Sequence, residues 1–188
     1  MCPSQYGIPL PPDKSSGPVS RELARWKHDP ALVQFNESHT PRGAQVDVVR
    51  AVGDHLKSPS SKHSFKMVYV DGKAGTGKTT TLRFILNKAR LRGLVTLVSA
   101  PTNLAALLYQ GGQSCHALFE LLATRDRGEV VPSRIRPQSD KAELLQAARI
   151  IVIDELPSMK RADFEAMLQL LDEARDGILN VIQHGSCA

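Results

Sequence analysis

The chain has 188 residues, of which 41% are hydrophobic and 23% charged, an ordinary balance for one compact α/β domain with an additional segment. The net charge of +5 modestly favours a polyanionic partner, and three widely spaced cysteines argue against a disulfide framework and for a reducing compartment. No apolar run reaches the roughly 20 residues of a membrane span and no signal peptide is evident, so a soluble intracellular protein without a membrane partner is expected.

Residues 1–38 are predicted to be a flexible or loosely docked segment ahead of the folded domain. Residues 1–20 are rich in proline and serine and have few apolar anchors, which is typical of a disordered lead-in. Residues 21–36 carry enough apolar side chains for a short docked helix. Trp26 lies between two basic residues, so it is either a packing anchor or a platform on which a base stacks.

The next predicted element is a helix that begins at Thr40-Pro41 and continues to the loop at 58–61. Thr40 suits the N-cap, Pro41 suits the first turn, and apolar residues then recur with helical spacing. Gln45 lies near its start. A glutamine amide both donates and accepts, so Gln45 can pair with N6 and N7 of adenine, or it is simply an exposed surface residue.

A predicted buried strand over residues 66–71 leads into a glycine-rich loop and then a helix that ends near Gly93. Strand, Gly-x4-Gly-Lys-Thr loop and helix in this order are the context of a phosphate-binding P-loop. Gly72, Gly75 and Gly77 are expected to adopt positive φ, which lets backbone N–H groups close on phosphates. Lys78 supplies a cation between the phosphates, and Thr79 offers a hydroxyl to Mg²⁺. The predicted nucleotide-binding residues are Gly72, Lys73, Ala74, Gly75, Thr76, Gly77, Lys78, Thr79 and Thr80.

A second predicted strand, over residues 94–99, is followed by polar residues at its carboxyl end, where open α/β sheets bind ligands. Two short helices are predicted over 103–110 and 113–123, on either side of a Gly-Gly pair. Residues 124–139 are predicted to be a loop, whose arginines either contact phosphates or form a solvated basic surface. A capping box at Asp140 opens a further helix over 141–148.

The apolar run 149–153 predicts a third core strand, and it ends in the acidic pair Asp154-Glu155. An aspartate in this position binds the Mg²⁺ of a P-loop site, and Glu155 can accept a proton from the attacking water. Two adjacent carboxylates at a strand end are costly without a cation, which supports a metal site. An amphipathic helix then follows Pro157, and residues 178–182 are predicted to start a fourth strand.

Four segments in order resemble successive motifs of the Pif-type (petite integration frequency) DNA helicases. They are Gly-Lys-Ala-Gly-Thr-Gly-Lys-Thr at 72–79, Ala-Pro-Thr-Asn-Leu-Ala-Ala at 100–106, Gly-Gly-Gln-Ser-Cys-His-Ala-Leu-Phe at 111–119 and Ile-Val-Ile-Asp-Glu-Leu-Pro-Ser-Met at 151–159. The resemblance covers about residues 40–175 and implies a RecA-like P-loop domain over 39–183, with a tail at 184–188. Such a domain is a three-layer α/β structure with a largely parallel sheet. It also implies a superfamily-one, ATP-dependent, 5′-to-3′ helicase.

The resemblance implies roles that spacing alone does not. Gln45 would read adenine, and the domain would use ATP with Mg²⁺ and single-stranded DNA in repair, recombination and telomere maintenance, in the nucleus or mitochondrion of a eukaryote. For His116 and Phe119, the residues alone favour ordinary helix packing. The residues that would line the DNA path are Pro101, Thr102, Asn103, Ser114, His116 and Phe119.

The sequence departs from the family pattern in several places. Asn103 stands where glycine is commoner, Ala117 where serine is commoner, and Pro157 interrupts the usual run after the acidic pair. The Gly-Asp-x-x-Gln motif that senses the γ-phosphate is not found in 180–188, and neither is a second RecA-like domain with its arginine.

Three other hypotheses compete with a helicase motor domain. They are a different superfamily-one motor, a non-catalytic nucleotide- or DNA-binding module, and an unrelated P-loop kinase or GTPase. The 111–119 motif argues against the first, and the lack of an Asn-Lys-x-Asp guanine motif argues against a GTPase. The sequence predicts no particular oligomeric state.

Overall fold

The computed structural model describes residues 16–57, 66–122, 133–174 and 179–183. Its helices are α1 (Pro18–Trp26), α2 (Pro30–Ser38), α3 (Ala44–Lys57), α4 (Lys78–Arg90), α5 (Asn103–Ala106), α6 (Cys115–Leu118), α7 (Asp140–Ala147) and α8 (Arg161–Ala174), with a 3-10 turn at Leu156–Ser158. Its strands are β1 (Lys66–Val70), β2 (Thr96–Ala100), β3 (Gln113–Ser114), β4 (Ile150–Ile153) and β5 (Leu179–Gln183).

Within the described residues the strands form one parallel sheet of five strands, in the order β1-β5-β4-β2-β3. All carboxyl ends therefore lie at the same edge, and the segments that follow β1, β2, β3 and β4 emerge there together. β5 confirms the predicted fourth strand, and it lies between β1 and β4.

Helices cover both faces of the sheet, which explains the continuous apolar runs of its strands. In β4, Ile151 and Ile153 pack with the α6–α8 side, whereas Ile150 and Val152 pack with α3 and α4 on the opposite side. All four side chains are fully buried. This is the three-layer α/β architecture that the sequence predicts.

The N-terminal helices belong to this packing. α1 lies against α7 and α2 against α4, and Leu32 and Trp26 are 0% and 2% exposed. Two guanidinium groups lie over the Trp26 ring, that of Arg90 at 4.0 Å and that of Arg25 at 4.6 Å from the ring centroid. Of the two alternatives for Trp26, the structure therefore shows the packing anchor. Of the disordered lead-in predicted over 1–20, residues 1–15 lie outside the described residues, and residues 18–20 already belong to α1, contrary to that prediction.

Several predicted boundaries differ from the structure. α3 begins at Ala44 instead of Thr40, because Gly43 adopts φ +52° and the chain turns there. The helix predicted over 113–123 is wrong: residues 113–114 pair with the end of β2, and only α6 is helical. The helix predicted over 103–110 ends at Ala106, where the chain turns toward Gly111 at φ +75°.

The cap of α7 is Ser139 and not the predicted Asp140. The Ser139 hydroxyl accepts from the Ala142 amide at 3.2 Å, and the Asp140 carboxylate instead binds Arg21 at 2.5 Å. In the predicted arginine-rich loop, residues 123–132 lie outside the described part of the chain, as does the tail at 184–188. Among the described helices, none combines the length and the apolar character needed to cross a bilayer.

Candidate active site

The predicted P-loop connects β1 to the N-terminus of α4. Gly75 and Gly77 adopt φ +77° and +82°, conformations that strain any other residue. Gly72 is not among the residues with positive φ, contrary to prediction. A Cβ at Gly72 would lie 3.1 Å from Thr76 Oγ1, so close approach, and not backbone conformation, favours glycine there. Lys73, Ala74, Gly75 and Thr76 are exposed, and Gly72, Gly77, Lys78, Thr79 and Thr80 are half-buried.

The Lys78 side chain folds back over this loop. Its ammonium group donates to the carbonyl oxygens of Gly72 at 2.5 Å and Lys73 at 3.0 Å. Lys78 is also the first residue of α4, so the cation lies beside the positive end of the helix dipole. Loop amides, the helix N-terminus and the ammonium group are together the kind of groups that suit a polyphosphate.

The side chain of Gln45, near the start of α3, forms a hydrogen bond to the same loop. Its Nε2 donates to the Thr76 carbonyl at 2.9 Å, and its Oε1 accepts from the Arg42 amide at 3.1 Å. An open pocket of about 250 Å³ adjoins it. The pocket is lined by residues 38–42, Gln45, Thr80, Thr81 and Phe84. Its place beside the P-loop suits a nucleobase.

Asp154 directly follows β4 and is only 1% exposed. Its Oδ2 accepts from the Tyr109 hydroxyl at 2.5 Å, and its Oδ1 accepts from the Glu155 amide at 2.8 Å. Burial raises the pKa of Asp154, while hydrogen bonds from Tyr109, Glu155 and Thr79 and the charge of Lys78 lower it. Burial dominates, so the ionised carboxylate is disfavoured until a further cation arrives.

The Thr79 hydroxyl lies near enough to the Asp154 carboxylate to lower its pKa, so a hydroxyl and a carboxylate come together here. The described residues contain no cluster of three or more His, Cys, Asp or Glu side chains that could hold a metal alone. Mg²⁺ is commonly bound by one or two protein oxygens and completes its shell with phosphates and water. The pair therefore fits Mg²⁺ delivered with a nucleotide.

Glu155 differs from its neighbour in both exposure and backbone. Its side chain is exposed, and its backbone adopts φ 58° and ψ 36°, left-handed values that cost a residue with a Cβ about 1–3 kcal/mol. Its amide is held by the Asp154 carboxylate, which helps to fix this turn. One carboxylate is thus enclosed and the other faces solvent, as different roles would require.

Tyr109 is the site residue that the sequence analysis missed. It is 3% exposed, and burial together with Asp154 raises the pKa of its hydroxyl. The sequence holds one signal: a single tyrosine in the apolar run before Gly111-Gly112. The sequence alone does not show that this tyrosine contacts Asp154, because the contact depends on the fold bringing residue 109 next to the end of β4.

The predicted DNA-contacting residues lie at the carboxyl ends of β2 and β3, or follow them, at the same edge of the sheet. The hydroxyls of Thr102 and Ser114 cap α5 and α6, accepting from the amides of Ala105 at 3.2 Å and Ala117 at 3.3 Å. Thr102, Asn103 and His116 are exposed, and Pro101 and Ser114 are half-buried. His116 Nε2 lies 3.7 Å from Asp163 Oδ2.

Phe119 does not lie with this group. It is 0% exposed and belongs to the core cluster on the α6–α8 side of the sheet. A fully enclosed ring has no face to offer a base, so the structure does not support the predicted DNA contact. Phe119 is a packing residue, as the residues alone had favoured.

The sequence profile of the PIF1-like helicases matches residues 45–183, which include the P-loop, the acidic pair and β5. The chain belongs to the PIF1-like helicase family. This confirms the resemblance noted from the four motifs and the RecA-like P-loop fold. At family level it also supports a nucleotide-dependent hydrolase of the helicase class. No curated protein is significantly similar to the chain.

Solved Pif1 structures share the fold. Unliganded Pif1 from a Bacteroides species is 21% identical, with a TM-score of 0.56 over 80% of this chain and 34% of that one. Bacteroides Pif1 in complex with ADP-AlF3 and single-stranded DNA is 24% identical, with a TM-score of 0.51 over 73% and 31%. Pif1 from Candida albicans is 21% identical, with a TM-score of 0.55 over 77% and 32%. The chain therefore spans about a third of the length of these relatives.

Proposed function

We propose that residues 39–183 form the first ATPase domain of a DNA helicase, preceded by a segment at 1–38 and followed by a tail at 184–188. ATP hydrolysis in this domain would drive movement along single-stranded DNA and separation of duplex strands. The observation that carries the proposal is the meeting of Lys78, Thr79 and buried Asp154 at one edge of the sheet. Family membership supplies the reaction class.

Each residue of the site has a proposed task. Lys78 neutralises phosphate charge after leaving the loop carbonyls, while residues 72–80 surround the phosphates with backbone amides. Thr79 and Asp154 hold Mg²⁺, which when bound offsets charge on the β- and γ-phosphates. Glu155 is exposed where it can accept a proton from the attacking water.

Gln45 is proposed to read adenine. Its amide nitrogen has a second N–H and its oxygen a second lone pair, so its two present hydrogen bonds leave capacity for a base. The adjoining pocket provides the space. ATP is therefore the proposed nucleotide.

Single-stranded DNA is proposed to cross the carboxyl edge of β2 and β3. The proposed contacts are Pro101, Thr102, Asn103, Ser114 and His116, which offer short polar groups and exposed backbone to phosphates. Bacteroides Pif1 was solved with single-stranded DNA and ADP-AlF3, which supports both ligands for this family member. By the same family argument, we propose a place in DNA repair, recombination or telomere maintenance, in the nucleus or mitochondrion.

The decisive experiment measures ATP hydrolysis with and without single-stranded oligothymidylate, in wild type and in Lys78→Ala. We expect weak Mg²⁺-dependent turnover that rises with DNA and is lost in Lys78→Ala. Lys57→Ala is the matched control, because Lys57 is an exposed residue at the end of α3 whose ammonium group pairs with Asp54 at 3.3 Å. Turnover that survives in Lys78→Ala contradicts the proposal. Nucleotide binding without any turnover points instead to a binding module without unwinding activity.

A further inference from the structure

We infer that Tyr109 is a positioning residue for the metal-binding carboxylate of Asp154. The inference rests on the proposed function, since it concerns how the same site holds Mg²⁺. The Tyr109 hydroxyl donates to Asp154 Oδ2 at 2.5 Å, across 45 residues of sequence. Hydrogen bonds from outer residues orient metal ligands and tune the affinity of the site.

The Tyr109 hydroxyl can position Asp154 because its ring is itself held in place. The ring packs in the core cluster that also contains Leu82 and Leu86 of α4 and Val152 of β4. Only 3% of the residue is exposed. A ring enclosed between the P-loop helix and the strand before Asp154 has little freedom to swing, so the hydroxyl stays at a fixed place.

The backbone around Tyr109 is fixed as well. Its amide donates to the Ala106 carbonyl at 3.1 Å, and its carbonyl accepts from the Gly112 amide at 3.0 Å. The next residue, Gln110, accepts from Arg90 at 3.0 Å and donates its side-chain amide to Asp29 at 2.6 Å. The turn that carries Tyr109 is therefore anchored to α4 and to the start of α2.

The remaining contacts of Asp154 define what Tyr109 adds. The Glu155 amide holds Oδ1, and the Tyr109 hydroxyl holds Oδ2, so the carboxylate plane is fixed from both ends. Each carboxylate oxygen accepts more than one hydrogen bond or metal contact, so the plane is fixed without closing the side shared with Thr79. Loss of the Tyr109 hydroxyl would leave Oδ2 free to rotate away from that side.

A purely structural role for Tyr109 makes a different prediction from a positioning role. Tyr109→Phe keeps the ring and its packing and removes only the hydroxyl. If Tyr109 merely stabilises the fold, all ligand affinities should change together. If it positions Asp154, the metal-dependent part of nucleotide binding should change alone.

The test titrates Mg²⁺ into protein and a fluorescent ATP analogue, and it also measures the affinity for the analogue in EDTA. In Tyr109→Phe we expect the half-saturating Mg²⁺ concentration to rise about 10-fold or more, with affinity in EDTA unchanged. Tyr69→Phe, which removes a hydroxyl from a half-exposed tyrosine on β1, should match wild type. Tyr109→Phe added to Asp154→Asn should cause no further loss.

Two results contradict this inference and leave the proposed function intact. One is a Mg²⁺ dependence in Tyr109→Phe equal to that of wild type, and the other is an equal loss of affinity for the analogue with and without Mg²⁺. A further loss in the Asp154→Asn background also overturns it, because Tyr109 would then act through another group. Wild type that binds the analogue without any Mg²⁺ dependence contradicts the proposed function and this inference with it. The two failures are thereby distinguished.

Discussion

The side-chain amide of Gln45 donates to the backbone carbonyl of Thr76 at 2.9 Å, across 31 residues of sequence. The contact is close enough that a Cβ at Gly77 would lie 2.7 Å from Gln45 Nε2. The start of α3 and the phosphate loop are thus one rigid unit. The residue proposed to read the base is held by the loop proposed to bind the phosphates.

We predict that Gln45→Ala weakens ATP binding about tenfold and reduces the preference for ATP over GTP. The change removes two hydrogen bonds, each worth about 0.5–1.5 kcal/mol, and frees the loop carbonyl. Equilibrium binding of both nucleotides measures the effect. Gln34→Ala, at an exposed position on α2, is the control. An unchanged ATP-to-GTP ratio would remove Gln45 from base recognition.

We predict that Asp154→Asn raises the thermal unfolding temperature of the nucleotide-free protein. Burial raises the pKa of Asp154 above its ordinary value of 3.8. Between that value and the raised pKa, the folded protein holds more protons than the unfolded chain, so stability falls as pH rises. At neutral pH the buried charge therefore costs stability, and each kcal/mol recovered raises the unfolding temperature by about 2–4 °C.

Thermal unfolding of wild type and Asp154→Asn at several pH values checks this prediction. The difference should be largest near neutral pH and should shrink as the pH falls to about 3, below the ordinary value of 3.8, where the wild-type residue is protonated in both states. Asp54→Asn changes an exposed carboxylate that pairs with Lys57 and serves as the control. A lower unfolding temperature for Asp154→Asn at every pH would show that the carboxylate stabilises the empty fold.

We predict that Gly112→Ala is severely destabilising. A Cβ at Gly112 would lie 2.1 Å from the Ala106 carbonyl oxygen and 3.1 Å from that of Tyr109, so the turn has to open. Displacing this backbone should cost at least about 3 kcal/mol of unfolding free energy. Gly53→Ala is the matched control, because it lies within α3 with no atom within 4 Å of the added carbon.

Gly53→Ala should raise stability by about 0.5–1 kcal/mol, as expected for a helix interior. Urea unfolding of both variants measures the two opposite shifts. If Gly112→Ala were as stable as wild type, the backbone of this turn would be able to move away from the added carbon without loss of unfolding free energy.

We predict that Phe119→Ala and His116→Ala separate packing from DNA contact. Phe119 is 0% exposed, so its truncation should cost about 3–5 kcal/mol of stability. The His116 side chain is 44% exposed, so its truncation should change stability little and weaken binding to single-stranded DNA. Unfolding free energy and fluorescence anisotropy with labelled oligothymidylate measure the two effects. If Phe119→Ala weakened DNA binding without loss of stability, and His116→Ala left DNA binding unchanged, Phe119 and not His116 would be the DNA contact.

The parts of the site that depend on residues close together in the sequence could be predicted from the sequence. The P-loop needs its glycines, Lys78 and Thr79 within a few residues, and Asp154 needs only an apolar strand before it. These positions were predictable because strand, turn and helix signals agree there. The three-layer fold followed from the same alternation of strands and helices.

Features that depend on distant contacts were not predictable. Tyr109 acquires its partner 45 residues away, and Ser139 rather than Asp140 caps α7 because Arg21 binds the aspartate. The two-residue strand β3 exists because it pairs with the end of β2, and periodicity cannot reveal so short an element. In each case tertiary contacts decide between local alternatives that the sequence leaves close in energy.

The position of β5 has a consequence for the order in which the active site is assembled. β1 and β4 are not neighbours: residues 66–70 and 150–153 each pair with 179–183, which lies between them. A ribosome makes the chain from its N-terminus. The strand before the P-loop and the strand before Asp154 are therefore both synthesised before residues 179–183, the strand that joins them. Until those residues emerge, β1 lacks its partner strand in the sheet, and no strand connects the P-loop to Asp154.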